Sequence, residues 1–166
     1  WKIDGLSQAT PLLQASSTQG ASDALMLLQG HYSWLDMFYG LVPGSIGETS
    51  TLAILIGCLF LLITGIANWR IILGTFIGMI ITAFIGMLFS AYFNSSNPML
   101  SLPPHYHFVM GGFAFGMVFM ATDPVSSAQT NKGRWMYGLL IGFMATVIRC
   151  VNPAYPEGMM LAILFA

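Results

Sequence analysis

The sequence predicts an all-α protein, a multi-pass membrane helix bundle that contains broken or half-spanning helices. Two observations of composition predict this class: 56% of the 166 residues are hydrophobic and only 7% are charged, whereas a soluble domain carries about 25% charged residues. The third observation is a series of long apolar runs separated by short polar or proline-containing segments. A net charge of −1 without a basic stretch excludes nucleic acid as a partner, and the lipid bilayer is the expected surrounding.

The chain divides into a polar segment, residues 1–47, and a membrane helical domain, residues 48–166. The first segment is rich in Gly, Ser and Gln, and its apolar stretch is interrupted by Gln29, His31 and Asp36. This pattern favours an interfacial or re-entrant piece over a full span. The predicted spans of the membrane domain are 49–67, 71–93, 107–122, 135–151 and 158–166. The last run is shorter than the ~20 residues that a spanning helix needs, so we expect the chain to be a piece of a longer protein.

Local sequence signals support these spans. Glu48 stands just before the first run, where an acidic group is favourable at the positive end of a helix. The second run carries Gly74 and Gly78, and the fourth carries Gly138 and Gly142. This spacing of small residues allows two helices to approach closely.

The third run, 107–122, has an unusual composition. It is short, contains Gly111, Gly112 and Gly116, and stops at an Asp-Pro pair. A short, glycine-rich run that ends at proline is typical of a broken or half-spanning helix.

Lys and Arg residues predict the orientation. Arg70 follows the first run, and Lys132 and Arg134 follow the third, so both loops lie on one side if each run crosses the bilayer. The positive-inside rule makes that side cytoplasmic. If residues 24–41 do not span, Thr10 then faces outward. Arg149 lies on the same side, and we expect it to extend to the headgroups, with pairing to Glu157 or a cofactor phosphate as the alternative.

Three acidic residues are candidates for a cation pathway: Asp123, Glu157 and Glu48. Asp123 ends the third run, either as a solvated Asp-Pro turn or as a carboxylate at a helix break, where freed carbonyls help to coordinate a cation. Glu157 and Glu48 each precede a helix, where they complement the helix dipole or serve as cation ligands.

Aromatic residues in and beside the third run suggest further roles. Phe115 and Phe119 lie four positions apart on one helical face. They form either a packing contact or a hydrophobic constriction in a pathway. His105 and His107 lack a nearby third metal ligand, and we expect an interface or partner role for both.

The segment Ser7, Gln8, Ala9, Thr10 has the form S-x-A-T and is followed by Pro11. Most Ser- and Thr-rich turns of this kind cap a helix. The second interpretation is that the Thr10 hydroxyl is the covalent attachment point of a phosphate-bearing cofactor.

Five stretches in the same order resemble a known family. These are 7–11, 43–51, 111–116, 119–126 and 149–160, the last containing Asn-Pro-Ala-Tyr-Pro-Glu-Gly. Together they resemble the B subunits of sodium-translocating NADH:quinone oxidoreductases, with the D subunits of the Rnf electron-transport complexes as a sister family. The resemblance runs over nearly the whole chain.

The resemblance implies a redox-driven sodium pump of the bacterial inner membrane, an NADH:ubiquinone reductase built from several subunits. It implies covalent FMN on Thr10, with Gln8 where glycine is expected, and electron transfer through FMN and riboflavin to ubiquinone. It assigns the Na⁺ constriction to Phe115 and Phe119 and the membrane acid to Asp123. It also implies two inverted repeats resembling urea transporters, of which this chain would hold the second, with the riboflavin and quinone contacts largely outside it.

Two alternatives stay open. The first is an Rnf-type electron-transport subunit. The second is a passive channel or solute transporter without a cofactor, because a broken helix, a phenylalanine pair and glycine seams fit a pore equally well.

Overall fold

The computed structural model describes residues 10–17, 26, 30, 32–45, 47–93, 97–152 and 157–166. In chain order the helices are α1 (Pro11–Ser17), α2 (Trp34–Tyr39), α3 (Thr51–Ile63), α4 (Trp69–Phe93), α5 (Pro104–Val109), α6 (Phe113–Phe115), a π-helical turn (Gly116–Met120), α7 (Asn131–Val151) and α8 (Met159–Phe165). No strand occurs among these residues, and the predicted all-α class is confirmed.

Two helices of the described part, α4 and α7, are long and apolar enough to cross a membrane. They correspond to the predicted runs 71–93 and 135–151. Helix α7 begins earlier than predicted because Thr130 caps it, accepting a hydrogen bond on Oγ1 from the Gly133 amide at 3.0 Å.

Helix α3 is shorter than the predicted span 49–67. It ends where the Thr64 hydroxyl donates to the carbonyls of Phe60 and Leu61 and where Gly65 adopts a φ of 74°. A helix of this length rises roughly 20 Å, which is less than the ~30 Å of the hydrocarbon core.

The glycines of α4 and α7 interlock. Gly74 lies against Gly138, and a Cβ built on Gly78 would stand 2.5 Å from the Leu139 carbonyl oxygen. A Cβ on Gly138 would stand 2.6 Å from the Ile71 carbonyl oxygen. The two backbones are therefore in direct contact, as the glycine spacing predicts.

Helices α4 and α7 run parallel. Gly74 contacts Gly138, and one turn further along both helices Met79 contacts Gly142. At the start of the two helices, the ring centres of Trp69 and Trp135 lie 5.9 Å apart. Arg70 and Lys132 therefore lie at the same end of the bundle, and the C-terminal turn of α7 lies at the other end, about 27 Å away along its axis.

The third apolar run is a broken helix, as predicted. Helix α5 stops at Val109, Gly111 takes a left-handed φ of 64°, and the chain resumes as α6 and a π-helical turn. The left-handed conformation is accessible to glycine without steric penalty.

The outer faces of α3 and α4 are apolar and exposed. Phe60 is 65% exposed, Ile63 77%, Phe84 56% and Tyr92 85%. Exposed apolar area this continuous marks a surface that meets lipid or another protein.

We expect Gly78→Ala to destabilise the bundle by about 1–3 kcal/mol, because the new methyl group would force α4 and α7 apart. Thermal unfolding in detergent would measure the loss. Gly86→Ala is the matched control on the same helix, since its nearest neighbour is the flexible end of Leu100 at 3.2 Å. Equal stability of the two variants would contradict the proposed close contact.

Candidate functional site

The break in the third run borders a narrow, partly open cleft. Four chain segments that are distant in sequence meet the break there: the start of α1, helix α2, the loop before α3, and Glu157, two residues before α8. The residues that line the cleft are Thr10, Pro11, Met37, Val42, Pro43, Gly44, Ser45, Glu48, Thr49, Val109, Met110, Gly111 and Glu157.

Thr10 immediately precedes α1, at the rim of this cleft. Its Oγ1 accepts a hydrogen bond from the Leu13 amide at 3.3 Å, so the residue caps the helix. Leu12 is fully buried and contacts Gly111 at the break, since a Cβ on Gly111 would lie 2.7 Å from Leu12 Cδ2. This contact fixes α1, and with it Thr10, beside the helix break. The other three residues predicted for cofactor binding, Ser7, Gln8 and Ala9, lie outside the described residues.

The structure brings Glu48 and Glu157 together at the break. A Cβ on Gly112 would lie 2.9 Å from Glu48 Oε1, and one on Gly111 would lie 3.1 Å from Glu157 Oε1. Ser50 already caps α3 by accepting from the Ala53 amide, so the Glu48 carboxylate is available to the cleft. Partial burial raises the pKa of Glu48, and the neighbouring charge of Glu157 raises it further.

No third acidic, thiol or imidazole side chain joins this pair to form a metal-binding group within the described ranges. Two neighbouring carboxylates can attract a cation, whose further ligands would be backbone carbonyls or water.

Arg149 is buried at the floor of the break, with 2% of its surface exposed. Its Nη1 donates to the His107 carbonyl at 2.7 Å and its Nη2 donates to the Met110 carbonyl at 2.9 Å. The guanidinium also lies 5.5 Å from the ring centre of Phe113, within cation–π range. The expectation that Arg149 extends to the headgroups is wrong, because the freed carbonyls at the end of α5 hold it inside.

Asp123 does not line this cleft. It follows the π-helical turn, and its Oδ2 accepts hydrogen bonds from the amide of Ser126 at 3.0 Å and from the Ser126 hydroxyl at 2.9 Å. These two bonds, led by the one from the amide, lower the pKa of Asp123. Its geometry is that of a carboxylate in a tight turn at the far end of the broken run.

Phe115 and Phe119 are in contact, with ring centres 5.0 Å apart. Phe119 also covers Gly57 of α3, where a Cβ would meet its Cζ at 2.8 Å. The pair therefore lies between the cleft and Asp123 along the broken run, and its role as a constriction stays a prediction.

The two histidines differ in their surroundings. His107 is 1% exposed and lies in the core, so the expectation of an interface role is wrong for this residue. The His105 carbonyl accepts a hydrogen bond from Trp34 Nε1 at 3.4 Å, which joins α5 to α2.

Sequence reasoning missed the part that Leu12 and the α5 carbonyls play in the site. A signal for α1 was present, because Thr10 followed by Pro11 is a capping residue followed by proline at the first helical position. The carbonyls that hold Arg149 belong to the backbone, and only the position of the break could have indicated them.

We expect Glu48→Gln to stabilise the protein at neutral pH, because the ionised carboxylate lies partly buried beside Glu157. The folded-state pKa of Glu48 is raised above its ordinary value of 4.5, so stability falls as pH rises from about 4.5 through the folded pKa. The gain in stability of Glu48→Gln over wild type should be complete at pH values above the folded pKa and absent below about pH 4.5. Thermal unfolding across pH measures this, and Glu157→Gln should weaken the dependence. Parallel profiles for wild type and Glu48→Gln would contradict the assignment.

Comparisons with known proteins identify the family of this chain. The family model described as the NQR2, RnfD, RnfE family matches residues 1–166. The chain is similar to proteins named as the B subunit of Na(+)-translocating NADH-quinone reductase. It is 58% identical over 163 residues to the one from Chromohalobacter salexigens, 56% over 163 residues to that from Klebsiella pneumoniae, and 59% over 165 residues to that from Haemophilus influenzae.

Each alignment covers 98% of this chain, but the chain spans only 38% of the Chromohalobacter protein and 39% of each of the other two. The match of the family model over the full chain and the identity to these relatives lead to one conclusion: the chain belongs to the NQR2, RnfD, RnfE family.

Proposed function

We propose that this chain is the flavin-bearing part of the membrane subunit of a sodium pump, an NADH:ubiquinone reductase that translocates Na⁺. The observation that carries the proposal is that Thr10 lies on the same cleft as the carboxylates of Glu48 and Glu157. A flavin attached at Thr10 and a cation bound by the two carboxylates would then lie in one cleft, where electron transfer and cation movement can be coupled.

The surroundings of Thr10 fit a covalently attached FMN. The residue is half-buried and borders an open cleft, and its hydroxyl oxygen accepts a 3.3 Å hydrogen bond, which an ester oxygen can also accept. Thr10 would hold the group through a phosphoester, and α1 would fix its position through the buried Leu12. When bound, FMN supplies the one- and two-electron redox chemistry.

The cation path follows the broken run. Glu48 and Glu157 lie at the break, where the path starts. Phe115 and Phe119 lie further along the run, and Asp123 follows the end of the run. The segment from Gly112 to Ala121 would rise roughly 15 Å as a helix. Two carboxylates attract a cation at one end, and the phenylalanine rings restrict a hydrated ion in between.

Coupling arises from proximity. Thr10 would hold the flavin at the cleft that Glu48 and Glu157 also line. A change of charge on the flavin ring would then change the cation affinity of the two carboxylates, and the bound cation would change the redox equilibrium of the flavin by the same free energy.

The same proposal assigns ubiquinone and the other subunits of the complex as partners and leaves the riboflavin and quinone contacts to parts of the subunit outside this chain. Lys132 and Arg70 lie at the end of the bundle opposite Arg149 and the cleft. By the positive-inside rule, Arg70 and Lys132 lie on the cytoplasmic side of the bacterial inner membrane, and the cleft lies on the opposite side.

A passive channel is the second candidate, because the broken helix and the contact of Phe115 with Phe119 also suit a pore. The two candidates differ in the visible absorption of the purified protein, because a channel carries no flavin. An Rnf-type subunit is less favoured, because the three relatives compared are named as NADH-quinone reductase subunits.

Thr10→Ala should abolish flavin fluorescence of the denatured subunit in a gel, when the protein is made in cells with an active flavin transferase. The matched control is Thr49→Ala, since Thr49 lines the same cleft, and it should remain fluorescent. A dark wild-type band would overturn the redox assignment and leave the channel as the leading function.

Asp123→Asn should raise the Na⁺ concentration that gives half-maximal turnover of the assembled complex several-fold, because the path loses a fixed negative charge. Ser126→Ala is the control: it removes a hydroxyl bonded to the same carboxylate but keeps the charge. If both variants behave alike, Asp123 serves the turn and has no role in cation passage.

A further inference from the structure

The break in the third run leaves backbone carbonyls without helical partners, and broken helices commonly use such carbonyls to bind a cation. Here the carbonyls of His107 and Met110 both accept hydrogen bonds from Arg149, at 2.7 and 2.9 Å. The side chain is 2% exposed, so water does not compete for these bonds.

Arg149 is held at this position from more than one direction. A Cβ on Gly111 would lie 3.3 Å from its Nη2, and the face of Phe113 lies 5.5 Å from its guanidinium carbon. Helix α7 supplies the side chain, while the flanks of the break supply the carbonyls and the ring. The guanidinium thus joins α7 to both halves of the broken helix.

Glu157 lies next to this guanidinium, since both approach the same face of Gly111. With Glu48 beside Gly112, the break gathers two carboxylates and one fixed positive charge. A mobile cation that enters the cleft meets an attractive pair of carboxylates and a repulsive guanidinium.

We infer that Arg149 is a tethered cation that occupies the carbonyl ligands of the helix break and thereby limits how tightly a mobile Na⁺ binds at Glu48 and Glu157. This inference rests on the proposed function. It makes Arg149 a positioning and affinity-setting residue: it excludes Na⁺ from the carbonyls and keeps the carboxylate site weak enough to release its ion. Efficient conduction requires binding that is favourable but readily reversed.

The test is steady-state turnover of the complete flavin-loaded complex as a function of Na⁺ concentration, at alkaline pH so that protons do not compete. Arg149→Gln should lower the apparent KM for Na⁺ by roughly tenfold, the effect of losing one nearby repulsive charge, and should lower kcat because the ion leaves slowly. Arg149→Lys keeps the charge but cannot hold both carbonyls and the Phe113 ring at once, so its KM should lie between those of wild type and Arg149→Gln. An unchanged or raised KM in Arg149→Gln, or a KM in Arg149→Lys shifted as far as in Arg149→Gln, would overturn the inference.

A second variant addresses the case in which Arg149→Gln does not assemble. Arg149→Ala made and purified with millimolar guanidinium should regain assembly and the wild-type KM for Na⁺, whereas the neutral isostere urea at the same concentration should restore neither. Equal behaviour in guanidinium and urea would overturn the inference. Wild-type complex that turns over independently of Na⁺ would instead contradict the proposed function, so the two failures are distinguishable.

Discussion

The pair of hydrogen bonds from Arg149 to the carbonyls of His107 and Met110 is the interaction on which the site depends. A buried carbonyl left without a partner costs about 1–3 kcal/mol, so an unsupported break at this depth would close into continuous helix or unfold. With the carbonyls satisfied, Gly111 can adopt its left-handed conformation, and Leu12 can pack on it. The position of α1, and therefore of Thr10, follows from the geometry of the break.

The charges around the break determine what it can bind. Two carboxylates and one guanidinium leave an excess of one negative charge, which favours a cation over an anion. The arginine is committed to the backbone, and Glu48 carries a raised pKa because it is partly buried beside Glu157. On the proposed function, a proton and Na⁺ compete for these two carboxylates.

The sequence predicts the features that depend on local pattern. The apolar runs indicate α4 and α7, the glycine spacing indicates their contact, and the short, glycine-rich run that ends at an Asp-Pro pair indicates the broken helix. Features that depend on backbone hydrogen bonds or on distant segments were not predictable. The early end of α3 depends on the Thr64 hydroxyl returning to the carbonyls of its own helix, and the meeting of Thr10, Glu48 and Glu157 requires segments from opposite ends of the chain. The inward position of Arg149 has the same cause, because the groups that hold it are carbonyls, which carry no sequence signal.

The proposed coupling between flavin and cation requires that the attachment point and the carboxylate pair share one cleft. A high-resolution electron cryomicroscopy map of the complete, flavin-loaded complex would examine this arrangement without an intermediate assumption. We expect continuous density from Thr10 Oγ1 through a phosphate to a flavin ring system at the mouth of the cleft, with Glu48 and Glu157 below it. Density for the flavin on another residue, or a Thr10 that points away from the two carboxylates, would contradict the proposed coupling.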